Sequence, residues 1–339
     1  MSPQKTYWHL RQQRRIPNEY EIVTSKLLFY TGEGFTGKRF ELDVPLRDWH
    51  ERYQVGSPLQ CSSWEKFYDP RETTYTKYTD VQLEKEIFVD KLLEEIEMTG
   101  YDERLSGTWM YFLSRIFAPL RYPVHAMQMI AAYVAQMAPG GRIAITGTLQ
   151  MADEIRRIER MAYRVRQLQL VYPGFAQDSQ VRWERDPLWQ PLRETVERLL
   201  VAYDWGEAFV GLNLVLKPLF DNLFMKHLGD VALREGDYLL GQILYSLGED
   251  NLWQQGWSKA LVQVALEDTS SNKNVIQGWA DKWYHLAMPA LREFSPVLAE
   301  KDSTEGTRRA PNITDQIDAF YSNYLDSMHL NVPARIVDA

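Results

Sequence analysis

Cysteine is almost absent: Cys61 is the only one in 339 residues. An internal disulfide and a cysteine-based metal site are both excluded. With no secretory leader at the start, a reducing cytoplasm is the expected compartment. Positive charge is in the minority, with 38 Lys and Arg against 46 Asp and Glu and a net charge of −8. That excludes a broad phosphate-binding face, so no nucleic-acid partner is expected. The one basic cluster, Arg11, Arg14 and Arg15, is short and reads as a solvated or carboxylate-paired patch. Long apolar runs are scarce too. Tyr122 to Gly141 lacks Asp, Glu, Lys and Arg, but it holds Pro123, His125, Gln128, Gln136 and Pro139. It reads as a buried core helix, since a membrane span needs about 20 mostly apolar residues. No glycine-rich phosphate loop, dinucleotide fingerprint or nucleophile elbow occurs. No strand-like alternation is long enough to build a sheet.

Aromatic residues, by contrast, abound: 11 Trp and 19 Tyr. Such an excess points to large buried contacts. Residues 1–78 carry many of these rings with no sustained period, interrupted by Pro3, Pro17, Pro45, Pro58 and Pro70. This segment reads as an extended arm with short turns, lying on this chain's body or on a partner. From Thr79, taken as an N-cap, the period is helical. Val81, Ile87, Phe88, Leu92 and Ile96 form the first stripe. Further helices are expected at about 103–117, 119–138, 142–171, 190–203, 205–234, 238–267 and 273–294, with Asp186 as the cap before the fourth of these. The helical domain thus spans 79–299. A polar segment, 300–339, follows with one possible helix at about 314–328. The class is all-α, and the two long pairs, 119–138 with 142–171 and 205–234 with 238–267, suit a four-helix core with a long crossover.

A di-iron site in such a core takes one Glu from each of two helices and a Glu-x-x-His from each of the other two. The residues three places before the six histidines are Thr6, Arg47, Tyr122, Phe224, Lys282 and Asp326, so no such motif is present. In "MADEIRRIER" (151–160), Glu154 has Arg157 where a histidine would stand. The stretch is either an ordinary charged helix face or a metal site without its ligands. Arg157 keeps its proton, and one positive charge about 4 Å from a divalent cation costs about 8 kcal/mol at an effective dielectric of about 20. Pairing of Arg157 with Glu154 and Asp153 inside the bundle is the expected alternative. Asp204 and Glu207 read as structural acids, with an acid/base pair as the other reading, and His125 reads as a core histidine. Trp253 with Trp257, and Trp279 with Trp283, each share a helix face and read as packing residues.

Several segments carry a resemblance: "RRIPNEYEIVTSKL" (14–27), "SPLQ" (57–60), "APLRYPVHAMQM" (118–129), "AYVAQMAP" (132–139), "YDWGEAFVGLNLVLKPLF" (203–220) and "WSKALVQVALE" (257–267). In this order, over nearly the whole chain, they resemble the β subunit of soluble bacterial multicomponent di-iron monooxygenase hydroxylases, in the toluene, benzene, alkene and isoprene group. The resemblance implies a ferritin-like bundle lacking the di-iron ligands. The family's iron-bearing α subunits carry an Asp-Glu-Ile-Arg-His segment, which Asp153 to Arg157 matches with Arg157 in the histidine place. "SLGEDNLWQ" (246–254) matches the second motif, with Asn251 and Gln254 in ligand places. The single-Glu helices match near Val124 and Leu212. Glu154 is the one carboxylate left.

The resemblance further implies a non-catalytic subunit of an NADH-dependent hydrocarbon monooxygenase, with no cofactor of its own. The di-iron centre is expected in α. The α and γ subunits are the expected partners, as α2β2γ2, with a regulatory protein, a Rieske ferredoxin and an NADH reductase completing the system. Trp8, Arg14, Pro17, Tyr20 and Trp49 are expected at the subunit interface. The rival readings are a self-sufficient di-iron carboxylate oxidase with unusual ligands and an unrelated helical scaffold.

Overall fold

The computed structural model describes residues 17–24, 44–97, 99–302 and 312–333, and every regular element among them is helical. Two short helices lie in the N-terminal segment, α1 (Glu19–Thr24) and α2 (Val44–His50). Then come α3 (Tyr75–Glu97), α4 (Gly107–Arg115), α5 (Arg121–Met137) and α6 (Gly141–Val171). α7 (Ser179–Arg185) and α8 (Gln190–Leu200) form the crossover to α9 (Trp205–Arg234). α10 (Tyr238–Gly248), α11 (Asp250–Asp268), α12 (Ser271–Arg292), α13 (Phe294–Asp302) and α14 (Ile313–Asp326) complete the order.

Several helices begin where a side chain accepts their free amides. Ser106 accepts from Trp109 N–H at 3.1 Å to open α4. Asp204 accepts from Gly206 and Glu207 N–H at 2.9 and 3.1 Å to open α9. Asp237 does the same for Leu240 N–H at α10, at 3.1 Å. Asp186, by contrast, accepts from Leu188 N–H at 3.1 Å in a turn, and α8 starts only at Gln190 with Pro191 in its first turn.

The core is two helix pairs. α5 and α6 run antiparallel across a three-residue turn and touch along their length. Their axes come close at Gly147, where a Cβ would stand 3.0–3.1 Å from Ala135. α9 pairs with α10, and α11 carries on from α10 across Glu249, whose backbone stays helical at φ −61° and ψ −31°. α8 and α12 cover the outside, and α14 lies on α9. α9 is long and apolar enough to cross a membrane, yet 94% of its apolar window is buried inside the molecule, so it is the central core helix. Two stretches of it, Val210–Leu216 and Asn222–His227, are π-helical.

Four expectations need correction. The segment read as an arm without helical period contains α1 and α2, and α7 lies where only a polar connection was expected. α3 starts at Tyr75, and the Thr79 hydroxyl donates to the Thr76 carbonyl at 2.8 Å in place of capping. Part of the expected stripe of α3 faces away from the core: Val81, Ile87 and Phe88 are 42%, 44% and 45% exposed, whereas Leu92 packs against the core, in which Val89 and Leu93 of the same helix are buried. The cause is that its polar side has better partners in the bundle. Lys85 meets Asp250 at 2.5 Å, Glu86 meets Arg156 at 2.5 Å, and Asp90 meets Arg160 at 2.6 Å.

Candidate functional site

The centre of the core is charged. α6 contributes Glu154 and Arg157, and α9 contributes Lys217 and Asp221, which share one helix face at i, i+4. All four are buried, none more than 2% exposed. They close a ring. Arg157 meets Asp221 at 2.7 Å and Glu154 at 3.5 Å; Lys217 meets Glu154 at 2.5 Å and Asp221 at 3.0 Å. Two acids and two bases leave the ring neutral, which is what makes its burial tolerable. The second Arg157 nitrogen donates to the Leu247 carbonyl at 2.8 Å, so α10 is tied in as well. Glu154 meets its two cations by charge alone, since neither contact is aligned as a hydrogen bond. Burial opposes the charge on Arg157, but Asp221 and Glu154 outweigh it and hold the guanidinium pKa above its ordinary value.

A second buried group lies on the neighbouring face of α6. Asp153 accepts from the Tyr78 hydroxyl at 2.8 Å, from Gln82 at 2.9 Å and from Gln254 at 2.8 Å. Burial first, and the Asp250 charge second, push its pKa up to about 8. Asp153 therefore keeps its proton at neutral pH and needs an acceptor. The side-chain oxygens of Gln82 and Gln254 are buried without donors, so a turn of either amide supplies one. Asp250 behaves in the opposite way. Burial works against its charge, but Lys85 at 2.5 Å and Arg156 at 3.2 Å hold its pKa below the ordinary value. A third cluster lies further along α9, where Asn213 donates to Gln150 at 2.8 Å and to Ser258 at 3.0 Å.

The structure brings Glu154 and Arg157 into the ring and Gln254 into the Asp153 group. Asn251 joins neither; it lines a surface groove with Asn222, Met225, Leu252 and Phe320 that reaches the edge of Asp221. Val124 and Leu212 are apolar core. The expected pairing of Arg157 with Asp153 is replaced by pairing with Asp221. Lys217 and Asp221 were missed by sequence reasoning. Their signal was two opposite charges four apart in an otherwise apolar helix, where neither can be left unpaired. Asp204 is the α9 cap and Glu207 pairs with Lys282 at 2.5 Å. His125 is exposed, contrary to its reading as a core histidine.

Of the residues expected at a subunit interface, Trp8 and Arg14 lie outside the described residues. Pro17 is half-buried. Tyr20 is buried within this chain: its hydroxyl accepts from Asp69 N–H at 3.2 Å, its ring meets Tyr68, and Arg142 lies over both rings. Trp49 is half-buried, donates to the Tyr133 hydroxyl at 3.0 Å and packs on Tyr53 and Tyr203.

This donor set does not fit an iron pair. The two converging carboxylates already hold two side-chain cations, and the neighbouring Asp153 is taken up by the Tyr78 hydroxyl and two amides. Among the described residues, no group of three or more His, Cys, Asp or Glu is placed to hold a metal ion.

Comparison with known proteins agrees with this architecture. Residues 49–269 match the family model for methane, phenol and alkene hydroxylases. The chain is 38% identical over 299 residues to the hydroxylase component subunit beta of the toluene-4-monooxygenase system of Ectopseudomonas mendocina, covering 88% of this chain and 91% of that protein. It is 25% identical to the hydroxylase component small subunit of propane 2-monooxygenase from Gordonia sp. (strain TY-5), covering 71% and 67%. Among solved structures, a chain of toluene 4-monooxygenase with toluene bound in its resting active site superposes with a TM-score of 0.82 at 38% identity, over 88% of this chain and 99% of that one. A chain of xenon-pressurised phenol hydroxylase from Pseudomonas sp. OX1 shares the fold, with a TM-score of 0.82 at 19% identity over 97% and 96%. The helical order is thus the ferritin-like one of these hydroxylase subunits, and the chain belongs to the methane, phenol and alkene hydroxylase family, as a β subunit of a multicomponent monooxygenase hydroxylase.

Proposed function

We propose that this chain is a structural subunit that buttresses an iron-bearing α subunit in the cytoplasm. The assembly would be α2β2γ2, served by a regulatory protein, a Rieske ferredoxin and an NADH reductase. In this reading oxygen insertion into the hydrocarbon, and the choice of hydrocarbon, belong to α.

The observation that carries the reading is α3. It is fastened to the bundle by ion pairs and leaves Leu83, Ile87, Val81 and Phe88 between 42% and 59% exposed. Large apolar side chains grouped on one exposed helix mark a contact surface. Elsewhere, Met129 of α5 and Ile155 of α6 are each 40% exposed. Obligate subunit interfaces are apolar and extensive, about 2,000–5,000 Å2.

Co-expression of the tagged chain with the α and γ subunits of its system tests the reading. All three should co-purify in equal amounts, with the iron in the α chain. Leu83→Lys with Phe88→Lys should keep the helix content of this chain while reducing recovery of α. Full assembly by that variant, or hydrocarbon hydroxylation by this chain alone, would sink the proposal.

A further inference from the structure

The ring holds more than a set of satisfied charges. One oxygen of Glu154 and one of Asp221 converge on Lys217 Nζ at 2.5 and 3.0 Å. The first contact lies within, and the second somewhat beyond, the bonds of about 2.0–2.6 Å that divalent cations make to oxygen. The ammonium thus stands on the point to which two carboxylates, from two different helices, are aimed. Arg157 closes the opposite side with contacts to the same two acids.

We propose that Lys217 and Arg157 act as built-in replacements for metal, joining α6 to α9 and closing this core to divalent cations. Two features do the excluding. The acids are already neutralised, so an arriving divalent ion would meet two fixed positive charges at contact distance. Among the described residues the positions around the ring supply amides, apolar side chains and an Asp153 held by Tyr78, Gln82 and Gln254, with no imidazole to complete a ligand set: His227, the only histidine of α9, faces Asp230 at 3.9 Å, about two turns beyond Asp221. The inference is read on this chain alone and does not depend on the docking reading.

The test is whether taking the cations away lets metal in. Arg157→Met with Lys217→His, made in the full chain, removes both positive charges and leaves Glu154, Asp221 and a new imidazole. With Co2+ as the probe, this variant should take up one ion per chain, show a visible d–d absorption band and melt about 5–10 °C higher at saturating Co2+. Wild-type protein should show none of these. Arg157→Met with Glu154→Gln removes one charge of each sign, keeps Lys217 on Asp221 and should also take up no Co2+. If the first variant is unfolded by circular dichroism, Co2+ should refold it. Three results would overturn the proposal: wild-type or charge-balanced protein binding Co2+ in the core, a folded first variant that takes up none, or an unfolded one that Co2+ fails to refold.

Discussion

Arg157 cannot shed its charge, so its removal strands Asp221 and Glu154 in a dry core with Lys217 as their only cation. Arg157→Ala should therefore cost roughly 3–5 kcal/mol, measured by urea unfolding. Arg157→Met with Glu154→Gln should recover part of that loss, because it removes one charge of each sign. An unchanged unfolding midpoint for Arg157→Ala would mean that the ring contributes nothing. Asp153 gives a pH prediction. Its folded pKa lies above the unfolded value of about 3.9, so between about pH 4 and 8 the folded chain holds a proton that the unfolded chain has released. Stability falls as pH rises through that window, by up to about 1.4 kcal/mol per unit. His227 acts with the opposite sign. Burial, then Lys226, lowers its pKa from 6.5 to about 4, so its contribution grows with pH and is complete above 6.5. Asp250, whose folded pKa is depressed, loses stabilisation only below about pH 4. The interval from pH 6.5 to 8 therefore isolates Asp153. Wild-type stability should drop there by about 1–2 kcal/mol, and Asp153→Asn, which mimics the protonated acid, should be flat across it.

The α5–α6 pair is held at a separation that Gly147 permits. A Cβ there meets the Cβ, Cα and backbone nitrogen of Ala135 at 3.0–3.1 Å, and backbone cannot step aside cheaply. Gly147→Ala should lower the melting temperature, with a net loss of about 1–2 kcal/mol, although alanine alone favours the helix by about 1 kcal/mol. A rise in stability would show that the two helices can separate freely. The long helices were legible from their apolar period: α6 and α9 were expected at 142–171 and 205–234 and occur at Gly141–Val171 and Trp205–Arg234. The π-helical turns of α9 were not legible, because an i→i+5 turn leaves no signature in residue type. Lys217 was hidden by its context, a single cation inside "GLNLVLKPLF" with one partner acid, Asp221, just past that run and the other, Glu154, on another helix. α3 was misread for a related reason. Periodicity finds an apolar stripe but does not say which side is covered, and here the ion pairs of Lys85, Glu86 and Asp90, with buried Val89 and Leu93, leave Val81, Ile87 and Phe88 facing outward. The lack of charge over 122–141 misled likewise, since His125 and Gln136 lie at the surface.

At the scale of the molecule, residues 57–66 fasten the N-terminal segment to helices some 150–210 positions further on. Ser57 donates to Asp204 at 2.9 Å, and Asn272 donates to the Gln60 carbonyl at 2.6 Å. Ser62 N–H donates to Asp268 at 2.7 Å, as does Lys66. Leu59 sits in their midst, 2% exposed, against Gly206. Although it lies outside any helix, Leu59→Ala should cost about 2–5 kcal/mol by chemical denaturation. Deleting residues 1–60 should lower stability in the same sense, in addition to any effect on assembly. A truncated chain that melts like the full one would confine these contacts to decoration. Many of the rings counted in the sequence are accounted for within the chain: Phe67 with Trp257, Trp64 with Trp205, and Trp189 with Phe224 and Phe294.

A core whose cations are carried by its own side chains is complete at the end of translation. On the proposed reading of the ring, nothing has to be delivered, reduced or inserted before α6 and α9 lock together. Maturation of such a chain has no dependence on nutrient supply, so cells starved of iron should still accumulate it soluble and with its usual melting temperature. In an assembly where a companion waits for metal, the chain with the ring would be the one already standing when the metal arrives.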